Sequence, residues 1–177
     1  ATLALMVFAP ASSRAAELTV AAASDLKFAL DELVTEFQTN QTAIKVKVTY
    51  GSSGNFYAQI QNQAPFDLYF SADIEYPRKL AAAGHALETN VFLSAVGRIV
   101  VWTPKQSPVD VEKLGIQSLL APSVKKIAIA NPQHAPYGRA AVAAMKSLKV
   151  YQPAEKNLVY GENIAQTAQF VQSGNAD

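Results

Sequence analysis

Four short turns carry the groups in this sequence best suited to chemistry. They are Ala21–Lys27 (AAASDLK), Tyr50–Tyr57 (YGSSGNFY), Ala130–Ala140 (ANPQHAPYGRA) and Val159–Thr167 (VYGENIAQT). Each joins an apolar strand pattern to a helical one, so each opens a helix whose first backbone N–H groups lack intrahelical acceptors. Those groups, with the positive end of the helix dipole, suit a small anion. Ser24 and Ser53 add hydroxyls at two turns, with Ser52 a weaker neighbour. Tyr137 and Ile164 present backbone at the other two. Aimed at one point, the four turns would hold an oxyanion with neutral donors alone. Taken singly, each also has an ordinary reading: Ser24 and Asn163 as helix caps, Pro136 as first-turn punctuation, Tyr137 as packing.

Other chemistries have less behind them. Ser24-Asp25-Leu26-Lys27 has the S-x-x-K spacing of serine acyl-transfer enzymes, with Ser24 as nucleophile beside Lys27, but the companion S-D-N and K-T-G motifs are missing. Gly51–Asn55 departs from G-x-S-x-G, because Asn55 stands at the last glycine. His85 and His134 are the two histidines, and there is no cysteine, so no metal-ion ligand cluster is expected. Asp67 and Asp73 flank a strand pattern and read as capping or solvated carboxylates.

These turns need elements to position them. Leu18–Ala23 reads as a short apolar strand, followed by a helix with Leu26, Ala29, Leu30, Leu33 and Phe37 on one face. Ile44, Val46, Val48 and Tyr50 alternate with polar residues in the two-residue period of a half-buried strand. A helix carried by Phe56 and Ile60, a strand over Asp67–Ser71 and a helix over Tyr76–Ala83 follow. Arg98–Thr103 (RIVVWT) reads as a strand stopped by Pro104, and Val111–Leu120 as a broken helix. Strands over Lys126–Ala130 and Asn157–Tyr160 each precede a helix, over Tyr137–Leu148 and Asn163–Ser173. The alternation predicts an α/β fold with mostly parallel sheets flanked by helices. Ligands of such folds sit beyond the carboxyl ends of strands, where all four turns fall.

Composition narrows the class. The 177 residues are 50% hydrophobic and 16% charged, with a net charge of +1. Lys and Arg form no stripe, which argues against a nucleic-acid surface. Thr2–Pro10 is apolar and is followed by the small-residue run Ala11–Ala15, so residues 1–15 read as the remnant of a cleavable signal peptide. Ser13 and Ala15 would stand at −3 and −1, with a mature start at Ala16. Without cysteine there is no disulfide and no thiol for a lipid anchor, so a soluble periplasmic protein rather than a lipoprotein is expected.

Five segments in order, A-A-A-S, Y-G-S-S-G, A-P-F-D-L-Y-F-S-A-D, N-P-x-H-x-P-Y-G and G-E-N-I-A-Q, together resemble the periplasmic molybdate-binding proteins of ABC importers across Glu17–Asp177. The resemblance implies the two-lobed type II periplasmic-binding fold, hinged to close on its ligand. It divides the chain into a first lobe over 16–93 and an incomplete second lobe over 94–177, with a C-terminal part, including the return crossing, missing beyond Asp177. It assigns molybdate, with tungstate close behind, to Ser24 and Ser53 from the first lobe and to the Tyr137 and Ile164 backbone from the second. It adds a possible phenol contact from Tyr137. It implies a membrane permease as partner, a monomer, no cofactor, no nucleic acid and no catalysis. Rival readings are a receptor for sulfate or thiosulfate, a ligand-sensing domain of a transcription regulator, and the Ser24–Lys27 acyl-transfer enzyme.

Overall fold

The computed structural model describes residues 16–177, so the signal segment expected over 1–15 lies outside it. Strand β1 (Ala16–Ala23) ends in the apolar run Val20–Ala23, which is fully buried. It is flanked on both sides by parallel neighbours, β2 (Ile44–Gly51) and β3 (Leu68–Phe70), in the order β2-β1-β3. A continuous apolar run is what a central parallel strand requires. The order reverses at β1, so the crevice beyond its carboxyl end is the switch point of the sheet. Helix α1 (Lys27–Asn40) links β1 to β2, and α2 (Ser53–Gln61) links β2 to β3. Helix α3 (Glu75–Ala82) packs on α2, with the Tyr57 and Tyr76 rings 5.0 Å apart. Asp67 ties β3 to β1: one carboxylate oxygen accepts both the backbone N–H and the hydroxyl of Thr19 at 2.7 Å.

A second unit follows. A short helix α4 (Val111–Leu114) runs into a 3₁₀ stretch, Gly115–Leu120. Strands β4 (Ile127–Ala130) and β5 (Leu158–Gly161) pair in parallel. They are connected by α5 (Pro136–Ser147) and the short α6 (Tyr151–Ala154), and α7 (Ile164–Gln172) follows β5. The core here is Val124, Ile127, Ile129, Met145, Val150 and Ala154. Gly138 allows α5 to approach β4 closely, because a Cβ there would run into the Ala130 carbonyl.

Two expectations fail. Arg98–Thr103 forms no strand, and residues 91–110 are neither helix nor sheet. Its apolar residues instead line a cavity of about 280 Å³ against β4 and α5. The apolar run reports a demand for burial, while a ladder also needs a neighbouring backbone in register. The apolar face expected on α1 is covered only in part: Leu26 and Leu30 are half-buried, while Leu33 is 60% exposed and no residue of the helix is buried.

Candidate functional site

The turns after β1, β2, β4 and β5 converge on one small cavity. It is lined by Ala23–Asp25, Gly51–Ser53, Ala72, Ala135–Tyr137, Asn163 and Ile164, and its free volume is about 10 Å³. Ser24, Ser52, Ser53, Tyr137 and Ile164 all border it. No lysine or arginine does.

The backbone hydrogen bonds at the starts of α2, α5 and α7 show which donors there are already engaged. In α2, the Gly54 N–H donates to the His134 carbonyl and the Phe56 N–H to the Ser52 carbonyl. The Asn55 N–H reaches Ser52 Oγ, the side-chain cap. In α5, Pro136 has no N–H, and the Gly138 and Arg139 N–H groups both donate to the Ala135 carbonyl. In α7, Asn163 Oδ1 caps the Gln166 N–H, and its carbonyl accepts from Thr167. The N–H groups of Ser53, Tyr137 and Ile164 are left without a partner among the described residues. The first N–H groups of a helix lack intrahelical acceptors, and these three belong to residues that border one cavity, buried at Ser53 and half-buried at Tyr137 and Ile164.

The hydroxyls behave differently from one another. Ser53, only 1% exposed, accepts the Ala72 N–H at 2.9 Å, which leaves its own hydrogen to donate. Its carbonyl is held by the Tyr69 hydroxyl at 2.6 Å, a phenol whose pKa burial raises. Ser24 does not cap the helix that follows it. Its Oγ accepts the Ala165 N–H from α7 at 3.4 Å, so it spans the two units. The Tyr137 phenol is not free for a ligand, contrary to the added contact expected of it: it donates to Asp25 Oδ2 at 2.6 Å. Asp25 is exposed, so solvent screens the one carboxylate at the rim. Lys27 offers no base to Ser24, because its ammonium is paired with Asp31 at 2.7 Å and lies over the Tyr50 ring.

Sequence reasoning missed the groups that join the two units around the cavity. Arg139 donates to Asp73 at 2.7 Å and to the Tyr76 hydroxyl at 2.8 Å. Asp73 also accepts the Glu75 N–H at the start of α3. His134 meets Ser52 through its ring and Gly54 through its carbonyl. Nothing in the spacing of these residues signals the pairing, since the partners lie far apart in sequence and in different units.

A family described as bacterial extracellular solute-binding proteins matches residues 18–177. The chain belongs to that family. A similar solute-binding protein, the molybdate-binding protein ModA of Azotobacter vinelandii, is 37% identical over 166 residues, which cover 94% of this chain and 64% of the relative. ModA of Rhodobacter capsulatus is 36% identical over 174 residues, covering 98% of this chain and 67% of the relative. The solved periplasmic molybdate-binding protein of Azotobacter vinelandii superposes with a TM-score of 0.81 at 36% identity, over 90% of this chain and 68% of that one. This solute-binding chain therefore spans about two thirds of the length of the relatives it matches. Its parallel sheets flanked by helices are those of a periplasmic binding fold.

Proposed function

We propose that this solute-binding protein captures molybdate, and tungstate with it, in the periplasm and delivers it to the membrane permease of an ABC importer. The observation that carries the reading is the convergence of the unclaimed Ser53, Tyr137 and Ile164 N–H groups on one cavity without lysine or arginine. The Ser53 hydroxyl hydrogen adds a fourth donor, and Ser24 borders the same space. The similarity to molybdate-binding relatives supports the choice of anion.

Chemistry favours it too. Molybdate at neutral pH is a tetrahedral dianion with four acceptor oxygens and no proton, so a cage of donors satisfies it fully. Each hydrogen bond to a charged group contributes about 1.5–3 kcal/mol. Hydrogen phosphate would bring a proton with no acceptor to receive it, a mismatch costing about 1–3 kcal/mol. Sulfate has no proton, so size alone must exclude it.

We place the first lobe at 16–93 and the second at 94–177. Ser24 and Ser53 then act from the first lobe, and Tyr137 and Ile164 from the second. Opening the hinge removes half of the donors at once, which permits release without a fixed countercharge. One chain supplies all of these groups, in keeping with a monomer. The apolar segment and small residues before Ala16 support export through a cleavable signal.

Titration calorimetry with molybdate, tungstate, sulfate and phosphate tests the reading. One molybdate or tungstate per chain is expected, undisplaced by excess sulfate. Displacement by sulfate would move the assignment to the rival oxyanion receptor, and absence of binding to every anion would overturn it.

A further inference from the structure

His134 engages the start of α2 twice from the other unit. Its carbonyl accepts the Gly54 N–H at 2.9 Å, and its ring Nδ1 lies 2.9 Å from Ser52 Oγ. The ring is mostly buried, with a side-chain exposure of 20%, and its Nε2 faces a Glu162 carboxylate oxygen at 3.4 Å. The carbonyl contact decides which N–H of α2 remains for a ligand: Gly54's is taken, Asn55's goes to Ser52, and Ser53's is left.

The ring contact decides the direction of a hydrogen. A neutral imidazole has one N–H and one acceptor nitrogen. The Glu162 carboxylate favours the N–H at Nε2, which makes Nδ1 the acceptor and draws the Ser52 O–H toward it. Ser52 Oγ then accepts from Asn55 and turns a lone pair toward the cavity it borders. An anion there meets repulsion from Ser52. With a proton on both ring nitrogens the bond reverses. Nδ1–H donates to Oγ, both Ser52 lone pairs are occupied, and its hydrogen is released toward the cavity.

We infer that His134 is a positioning residue of the anion site, whose ring sets whether the Ser52 hydroxyl opposes or donates to a bound oxyanion. The inference rests on the anion reading of the cavity. Glu162 is the ionisable group against the ring, from the turn before α7. Across Gly54 stand the Tyr76 hydroxyl and, beyond it, the Arg139–Asp73 pair, whose charges offset each other. Ser52, the N-cap of α2, is the side chain bonded to the ring from that side.

Molybdate affinity of the full chain, measured by calorimetry at about pH 5.5 and about pH 8, brackets the range in which histidine changes charge. The expected result is binding at least about tenfold tighter at the lower pH, the scale of one added hydrogen bond to a charged group. Ser52→Ala should bind molybdate without this step, and so should His134→Asn, whose amide cannot gain a proton. His85→Gln should keep it. Wild-type binding with no pH step, or a step that survives Ser52→Ala, would overturn the role of His134 alone. Failure of the wild type to bind at either pH would overturn the anion reading and this inference with it. If His134→Asn does not fold, the Ser52→Ala comparison decides.

Discussion

The Tyr137 hydroxyl donates to the Asp25 carboxylate at 2.6 Å, tying the start of α5 to the turn after β1. Burial, reinforced by the bond to Asp25, raises the pKa of the phenol, so it remains a donor throughout the neutral range. The bond therefore holds two parts of the protein together at the cavity rim, while the Tyr137 backbone N–H stays available to a ligand. Tyr137→Phe keeps that N–H and loses only the rim contact. Molybdate binding should weaken by about two- to tenfold, the worth of one ordinary hydrogen bond. A loss beyond about a hundredfold in calorimetry, several kcal/mol, would mean that the phenol touches the anion itself.

Ser53 should matter more. Its hydroxyl is buried, accepts from Ala72 and has its hydrogen to spare, and its own N–H is unclaimed. Ser53→Ala removes a charge-assisted donor and also strips the Ala72 N–H of its acceptor. Affinity for molybdate should fall at least tenfold, about 1.4 kcal/mol. An unchanged dissociation constant would remove Ser53 from the site.

Much of this arrangement was legible from local pattern. The alternation of Ile44, Val46 and Val48 and the apolar run Val20–Ala23 marked β2 and β1, and the helical periods over 137–148 and 163–173 fall within about two residues of α5 and α7. The turn motifs pointed to Ser24, Ser52, Ser53, Tyr137 and Ile164, all of which border the cavity. What escaped depends on partners. Arg98–Thr103 had the composition of a strand but found no ladder, and Leu33 and Phe37 had the spacing of a buried face but are not buried. The bridges Asp73–Arg139 and Asp25–Tyr137 join residues 66 and 112 positions apart. Hydrophobic period and capping chemistry are local, whereas these contacts exist only after two units dock.

Acid should loosen the first sheet through Asp67. The Thr19 backbone N–H, and next its hydroxyl, hold this carboxylate below its ordinary pKa, and the group is exposed. A depressed folded-state pKa contributes stability that is present above the unfolded value of about 3.9 and is lost as pH falls through the folded one. Asp31 and Asp177 are shifted the same way, by Lys27 and by the Lys126 backbone N–H respectively. Stability should therefore rise with pH through the acid range and level off above it. Asp67→Asn should flatten that rise in thermal melts between about pH 2 and about pH 5. An acid limb identical to wild type would show that the Thr19–Asp67 bonds contribute nothing to it.

Gly54 tests the closeness of the two units. A Cβ on this residue would strike the His134 carbonyl oxygen, and would lie 2.8 Å from the Tyr76 hydroxyl and 2.9 Å from His134 Cα. Two of these neighbours are backbone atoms that cannot swing aside, so the added methyl must push α2 from His134 and break the Gly54 N–H bond to its carbonyl. Overpacking of this kind typically costs about 1–3 kcal/mol. Alanine is otherwise the better helix former by about 1 kcal/mol, so α2 itself should not suffer. Gly54→Ala should keep the helical signal in circular dichroism while losing more than about tenfold in molybdate affinity, about 1.4 kcal/mol. With saturating molybdate its radius of gyration in X-ray scattering should exceed that of the wild type, because the units cannot approach fully. Wild-type affinity together with a superposable scattering curve would show that this approach is not needed for binding.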